Sequence, residues 1–275
     1  MNLAEIKQAG PFAGHYRLKS SHWHQGSAGP QSAIRMVIED MSGCIPAYIW
    51  HLRSDLELPE LWSCVEVDGR IRMRSDGPVA DVEFVWTASK PAAEIIRLIP
   101  HSFCPKPWLL SFLDALVARL QTPWLKQFVL DVLGDDTIAF AFVSCPASLR
   151  YHHRFPGGLL HHSIECVQMV ARYQEFSPED LELCMVAALF HDIGKILTLT
   201  PQMRRTTLGA SIDHDKLTLE VLSPALRRLD ESCPQGGSDL RYLLTWRRGR
   251  QDSGIPRTPL ANVVLGADRV SAGIG

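Results

Sequence analysis

The hydrophobic pattern of this chain changes character near Lys90-Pro91, and that change limits the possible folds more than any other feature. Before it, apolar and polar residues alternate over short segments bounded by turn residues, which is typical of strands. After it, apolar residues recur at every third or fourth position, which is typical of amphipathic helices. The pattern therefore predicts a multidomain protein, with an N-terminal all-β barrel followed by an all-α domain.

The length supports this division, because 275 residues correspond to about two domains at roughly 150 residues each. We predict one domain over residues 1–90, a linker with leading helices over 91–144, and a second domain over 145–275. The net charge of −2 does not indicate an overall basic surface. Seven cysteines without a C-x-x-C pair are typical of reduced, buried thiols. With no signal peptide and no membrane-length apolar run, we expect a cytoplasmic protein.

About five short strands are expected in the first domain, enough for a small barrel or sandwich. Asp40-Met41-Ser42-Gly43 predicts a turn between strands at 34–38 and 45–50. Asp68-Gly69 predicts a hairpin that joins short strands at 63–67 and 70–74. The remaining strands are expected at 15–23 and 79–86.

Helices are expected at 92–99, 109–120, 123–133, 159–173, 213–229, 239–246 and 259–271. A further helix begins at Ser177-Pro178-Glu179-Asp180, where serine is an N-cap, proline is at the first position and acids fill the first turn. That helix ends at His191-Asp192.

The chemistry of the second domain is indicated by Leu189-Phe190-His191-Asp192-Ile193-Gly194-Lys195, which ends an apolar run. Burying an unpaired polar group costs about 1–3 kcal/mol, and a metal ion is the simplest partner for imidazole and carboxylate together. His162, His214 and Asp268 lie where they could complete such a site. A ligand set of two histidines and two aspartates suits a first-row transition metal or Mg²⁺. The alternative is a structural role for the dipeptide.

This segment closely resembles the signature of the HD superfamily of metal-dependent phosphohydrolases. Another stretch, Tyr151-His152-His153-Arg154-Phe155-Pro156-Gly157-Gly158-Leu159-Leu160-His161-His162-Ser163, resembles the loop and helix entry of YhaM-type 3′-to-5′ exoribonucleases and of HD-type conjugative relaxases. In those families a metal-binding histidine follows Gly-Gly-Leu-Leu and one variable residue. Spacing alone does not separate His161 from His162, but the resemblance implies His162.

The same resemblance extends downstream, where Gly209 to His214 matches a segment that ends in a second-metal histidine. Gly266 to Ala272 matches the helix that carries the last aspartate. The resemblance therefore implies a divalent ion (Mn, Fe, Co, Mg or Ni) and a phosphate-contacting role for Lys195. The implied ligands are His162, His191, Asp192 and Asp268, with His214 at a second site.

One departure concerns Thr245-Trp246-Arg247-Arg248-Gly249, where YhaM-type enzymes carry His-His-Gly. Arginine stays protonated and cannot ligate a cation. Arg247 and Arg248 therefore leave three interpretations open. They hold substrate phosphates beside a single metal, they mark a domain that binds without catalysis, or they form an exposed basic turn.

In the first domain, Ile38 to Trp50 resembles the strand-turn-strand of OB-folds, which bind single strands by stacking bases on aromatic side chains. The resemblance implies contacts from Tyr48, Trp50, Arg35 and Arg72. The alternative is that both aromatic residues belong to the core.

These observations predict a metal-dependent phosphodiesterase, a 3′-to-5′ exonuclease on single-stranded RNA or DNA. Asp192, Lys195, Arg247 and Arg248 are the expected catalytic residues. The alternatives are an HD nucleotide phosphohydrolase or a catalytically weakened nucleic-acid-binding protein linked to conjugative DNA processing. The expected partner is a single-stranded nucleic acid or a nucleotide substrate, with no membrane, and a homo-oligomer is left open.

Overall fold

A computed structural model of the chain describes residues 2–25, 32–50, 58–246 and 258–274. Its contacts divide the chain into two compact units, Met1–Phe103 and Cys104–Gly275. The finer division at residues 90 and 144 stays a prediction. Among the described helices, none has the length and apolarity needed to cross a membrane.

The first unit is a closed five-stranded barrel, which confirms the predicted fold class. Its strands follow one another around the barrel in the order β1-β2-β3-β5-β4. β3 and β5 pair in parallel, and the other neighbouring strands pair antiparallel. This is an OB-like architecture. The strands are β1 Gly10–Gln25, β2 Ser32–Asp40, β3 Gly43–Ile49, β4 Cys64–Arg74 and β5 Gly77–Thr87.

Alternation along these strands fills the barrel, because successive side chains point to opposite faces. Tyr16, Leu18, Met36 and Ile38 are all fully buried there. The predicted turn between β2 and β3 is confirmed, since an Asp40 Oδ1 accepts the backbone N–H groups of Ser42 at 2.7 Å and Gly43 at 3.2 Å.

The predicted hairpin at Asp68-Gly69 is wrong, because β4 runs unbroken from Cys64 to Arg74. At this point the pairing of β4 with β5 shifts its register. A Cβ on Gly69 would lie 2.1 Å from the carbonyl oxygen of Asp81. The glycine therefore permits a close approach of two strands at an irregularity rather than a turn.

The helix predicted at 92–99 is also wrong. A single 3₁₀ turn, Ala92–Glu94, is followed by turns. The barrel binds two carbonyls at the end of this segment: Arg97 O accepts from Met41 N at 2.9 Å, and Leu98 O accepts from the buried Arg17 Nε at 2.7 Å.

The second unit is mainly helical, as predicted. Its helix α3 was not predicted, although Asp135 caps it by accepting the N–H of Thr137 at 2.9 Å. The unit also contains a two-stranded ribbon. The helices are α1 Trp108–Arg119, α2 Pro123–Leu133, α3 Asp136–Ser144, α4 Gly158–Val170, α5 Pro178–Phe190, α6 Lys195–Thr198, α7 His214–Ser232, α8 Pro234–Thr245 and α9 Pro259–Ile274, and the ribbon is β6 Leu199–Thr200 with β7 Arg204–Arg205.

Helix α4 packs against both α5 and α9, so that three helices meet at one place in this unit. Each of them, or the residues directly after it, carries side chains of the site described next.

Candidate metal centre

Helix α5 delivers the His-Asp pair into the interior of the helical unit. Ser177 caps its first turn, where the hydroxyl accepts from Asp180 N at 3.1 Å, which confirms the predicted start. In the second half of the helix, from Leu183 to Phe190, every residue except Met185 is buried. His191 and Asp192 follow at its end and keep only 6% and 5% of their surface exposed.

Four ligand atoms from three helices converge at this end of α5. His162 Nε2 on α4 lies 3.2 Å from His191 Nε2 and 3.5 Å from Asp192 Oδ2. Asp268 Oδ1 on α9 lies 3.3 Å from His162 Nε2 and 3.4 Å from His191 Nε2. All four residues proposed from the sequence as ligands of the first ion are thus brought together.

Hydrogen bonds to the other ring nitrogens fix which nitrogen of each imidazole faces the cluster. His191 Nδ1 donates to the carbonyl oxygen of Ala188 at 2.9 Å, because a carbonyl can only accept. His162 Nδ1 lies 2.9 Å from Ser271 Oγ, which in turn donates to Glu165 Oε2 at 2.7 Å. Both Nε2 atoms therefore turn lone pairs toward the same point.

The donor set fits a divalent metal ion. Atoms that share one ion at about 2.0–2.2 Å lie roughly 3.0–3.6 Å apart. The two histidine Nε2 atoms lie 3.2–3.5 Å from each other and from Asp192 Oδ2 and Asp268 Oδ1. Cys166 Sγ is also near, at 3.8 Å from His162 Nε2. Burial and the neighbouring Asp268 and Asp192 raise the pKa of the Cys166 thiol, so this group is neutral in the metal-free protein.

The charges within the cluster are strongly coupled. Burial would raise the pKa of Asp192, but Lys195 and His191 outweigh it and hold that pKa well below its ordinary value. Burial alone would lower the pKa of His191, but Asp192 and Asp268 outweigh burial and raise it. Burial lowers the pKa of His162. The carboxylates therefore stay ionised and attract one positive charge, a proton or a metal ion.

Asp192 also faces away from this cluster, toward the proposed second site. Its Oδ1 lies 3.0 Å from Nε2 of the half-exposed His214, at the start of α7, and its Oδ2 binds the Lys195 ammonium group. Gly194 permits this arrangement, because a Cβ there would lie 2.0 Å from the carbonyl oxygen of His214. Arg247 and Arg248, expected to flank this side, lie outside the described residues.

A cleft of about 450 Å³ adjoins the cluster. Lys195 and His214 line it together with two arginines, Arg150 and Arg205, and one acidic residue, Asp213, so its charged side chains are mostly basic. His152 also lines it, and its ring centroid lies 5.1 Å from that of His162.

His153 is buried, and its Nε2 lies 3.1 Å from Glu165 Oε2. No sequence motif pointed to Glu165, which lies three residues after His162 and binds Ser271 of α9. Only the packing of α4 against α9 brings these two residues together.

On the barrel, the four predicted nucleic-acid contacts lie on β2, at the end of β3 and on β4. Arg35 on β2 pairs across the sheet with Tyr48 on β3. The half-buried rings of Tyr48 and Trp50 stack, with centroids 5.3 Å apart and planes 14° apart. The indole of Trp50 donates to Asp81 Oδ1 at 2.8 Å, and the exposed Arg72 donates to the same carboxylate. These residues therefore form one outward aromatic and charged face, which we call the Tyr48–Trp50 face.

Comparison with known proteins identifies the helical unit. Residues 159–273 match the model of the HD family, described as the HD domain. A helical unit that matches this family and brings two histidines and two aspartates together is typical of HD-type hydrolases.

Its curated relatives are similar over most of the chain. The 3′-5′ exoribonuclease YhaM of Bacillus velezensis is 21% identical, over 90% of this chain and 79% of the relative. YhaM of Listeria innocua is 24% identical over 82% and 73%, and YhaM of Bacillus subtilis is 20% identical over 93% and 82%.

A solved structure, the second OB-fold domain of replication protein A from Methanococcus maripaludis, is 15% identical. It covers 33% of this chain and 96% of its own, with a TM-score of 0.28. At that score, the assignment of the barrel depends on its strand order alone.

Proposed function

We propose that this protein is a metal-dependent phosphodiesterase that removes nucleotides from the 3′ end of single-stranded RNA. The observation that carries the proposal is the converging set His162, His191, Asp192 and Asp268 beside a basic cleft. Similarity to 3′-5′ exoribonucleases over most of the chain supports the substrate class. The barrel supports it further, since OB-like barrels bind single strands on such faces.

In this proposal the four ligands hold one divalent ion, which would polarise the phosphate and lower the pKa of a bound water. Asp192 contacts His214 through Oδ1 and Lys195 through Oδ2, and its Oδ2 would also bind the ion. Lys195 lies at the rim of the cleft and offsets negative charge that develops on the phosphate. His214 orients substrate or contributes to a weaker second ion.

Arg247 and Arg248 complete the proposal. A guanidinium supplies the positive charge that a second metal ion would bring, but it does not coordinate ligands as a metal ion does. It binds phosphate oxygens through two N–H groups. The two arginines therefore bind the phosphates of the strand next to a single ion.

The test is hydrolysis of a 5′-labelled single-stranded RNA and its DNA equivalent by protein reloaded with Mn²⁺. We expect a ladder that shortens from the 3′ end with the wild type and with Glu220→Gln, an exposed control on α7. His191→Ala and Asp192→Ala should abolish the ladder. Tight strand binding without cleavage by the wild type would instead indicate a domain converted to binding, and turnover of mononucleotides alone would indicate a nucleotide phosphohydrolase.

A further inference from the structure

The two histidine ligands of the proposed metal centre are held by different means. His191 donates from Nδ1 to a backbone carbonyl of its own helix, Ala188 O. His162 has no such carbonyl partner in the described hydrogen bonds. It reaches a side chain on another helix, Ser271 Oγ, at 2.9 Å.

Ser271 is fully buried on α9, three residues after Asp268, and therefore on the same side of that helix. A hydroxyl has one proton, and here it points to Glu165 Oε2 at 2.7 Å. The hydroxyl oxygen is then free to accept from His162 Nδ1. The hydrogen bonds therefore run in one direction, from His162 to Ser271 and from Ser271 to the carboxylate of Glu165.

Glu165 is the final acceptor in this series of hydrogen bonds. His153 Nε2 lies 3.1 Å from its Oε2, and His161 Nε2 lies 3.4 Å from its Oε1. With Ser271, three donors from two helices and the preceding loop surround the carboxylate. Such a carboxylate stays an acceptor, which fixes the direction of every hydrogen bond back to His162.

We infer that Ser271 and Glu165 form a positioning relay that keeps the proton of His162 on Nδ1 and its lone pair on Nε2, facing the metal. Neither residue touches the ion or the substrate. The relay acts through the tautomer and ring orientation of His162, as carboxylates behind metal-bound histidines do. The inference rests on the proposed function, because it assumes that His162 is a ligand.

Helix α9 also contributes to the site through two residues. Asp268 contributes a ligand atom and Ser271 orients another ligand from one turn further along. A helix that shifted along its axis would therefore disturb two of the four ligands together.

The test compares Ser271→Ala with Ser163→Ala. Ser163 is an equally buried serine, directly after His162, whose Oγ has no hydrogen-bond partner among the described residues. The first readout is the affinity of the metal-free protein for Mn²⁺ by calorimetry. Ser271→Ala should lose about 10–100-fold in affinity, and Ser163→Ala should stay within a factor of about two of the wild type.

The second readout is the tautomer of His162 in metal-free protein, from its ¹⁵N chemical shifts, assigned with a His162→Asn variant. We expect the Nδ1–H form in the wild type and in Ser163→Ala, and a shift toward the Nε2–H form in Ser271→Ala. Glu165→Gln keeps the shape of the side chain but can donate as well as accept, so it should produce a partial shift. If Ser271→Ala does not fold, the Glu165→Gln variant still tests the relay.

Wild-type affinity and an unchanged tautomer in Ser271→Ala or Glu165→Gln would overturn the relay. If the wild type bound no Mn²⁺, the proposed function would fail, while the tautomer measurement would still decide the relay.

Discussion

His162 and His191 bring two nitrogen lone pairs within 3.2 Å of each other, and two ionised carboxylates surround them. Lone pairs at this distance repel unless a proton or a metal ion lies between them. In the metal-free protein a proton takes this place, because Asp192 and Asp268 raise the pKa of His191. Metal and proton therefore compete for the same place.

This competition predicts that metal affinity falls as the pH falls. A metal needs neutral His191, whose pKa lies above its ordinary value, so binding must release a proton at neutral pH. For one displaced proton, the affinity for Mn²⁺ should drop about tenfold per pH unit between about pH 8 and pH 6. Calorimetry in buffers of different ionisation enthalpy measures the released proton directly, and a pH-independent affinity would contradict the prediction.

Lys195 has two contacts that a substitution can separate: its ammonium group binds Asp192 Oδ2, and its side chain lines the cleft. We expect Lys195→Gln to lower kcat by about 10²-fold, as loss of one preorganised charge does. Its Mn²⁺ affinity should stay level or rise, since a competing cation leaves Asp192. Initial rates and a metal titration measure the two effects separately.

Lys216→Gln, on the exposed side of α7, is the matched control and should change neither quantity. A parallel loss of metal affinity in Lys195→Gln would mean that the lysine serves to hold Asp192 rather than the substrate.

At the element scale, the start of α7 must approach the turn that follows α5. The Gly194→Ala side chain would lie 2.0 Å from His214 O and 2.9 Å from Thr218 N, both backbone atoms. We expect this substitution to cost about 1–3 kcal/mol in the free energy of unfolding, as overpacking does. It should also reduce activity, because Asp192 and His214 move apart. Chemical denaturation and initial rates are the measurements.

Gly266→Ala on α9 is the control for that prediction, because a Cβ there meets nothing within 4 Å. It should leave stability unchanged or raise it slightly, since alanine favours a helix over glycine. Equal losses in the two variants would show that the close approach at Gly194 is not the cause.

Elements defined by local chemistry were predictable from the sequence. The limits of α2 and the cap of α5 follow from proline and serine in their own first turns. At Asp68-Gly69 the prediction failed because of a contact across the barrel: the dipeptide is typical of a hairpin, but pairing with neighbouring β5 makes it part of one strand. The helix expected at 92–99 and the unpredicted helix α3 were further errors.

At the scale of the whole molecule, we expect the barrel to bind the strand and the helical unit to cleave it. Tyr48→Ala should weaken binding of a single-stranded RNA oligomer by about 1–3 kcal/mol, because a stacking platform is lost. Hydrolysis of a small phosphodiester such as bis(4-nitrophenyl) phosphate should not change, since it needs the metal centre alone. Fluorescence anisotropy and a colorimetric assay measure the two.

Phe84→Ala removes an exposed aromatic residue from β5, outside the Tyr48–Trp50 face, and is the control. If both variants bound RNA equally weakly, the loss would not be specific to that face. If neither lost affinity, the barrel would not be the binding platform.

The sequence by itself determined the order of a β barrel and a helical domain, because hydrophobic period is a local property of the chain. It also contained the His-Asp pair and, through resemblance, the other ligands. Only the tertiary structure decided that the ligand atoms of His162, His191, Asp192 and Asp268 lie within 4.8 Å of one another, and that Ser271 and Glu165 support one of these residues. Residues 29 to 109 positions apart come together only through helix packing, which no local pattern specifies.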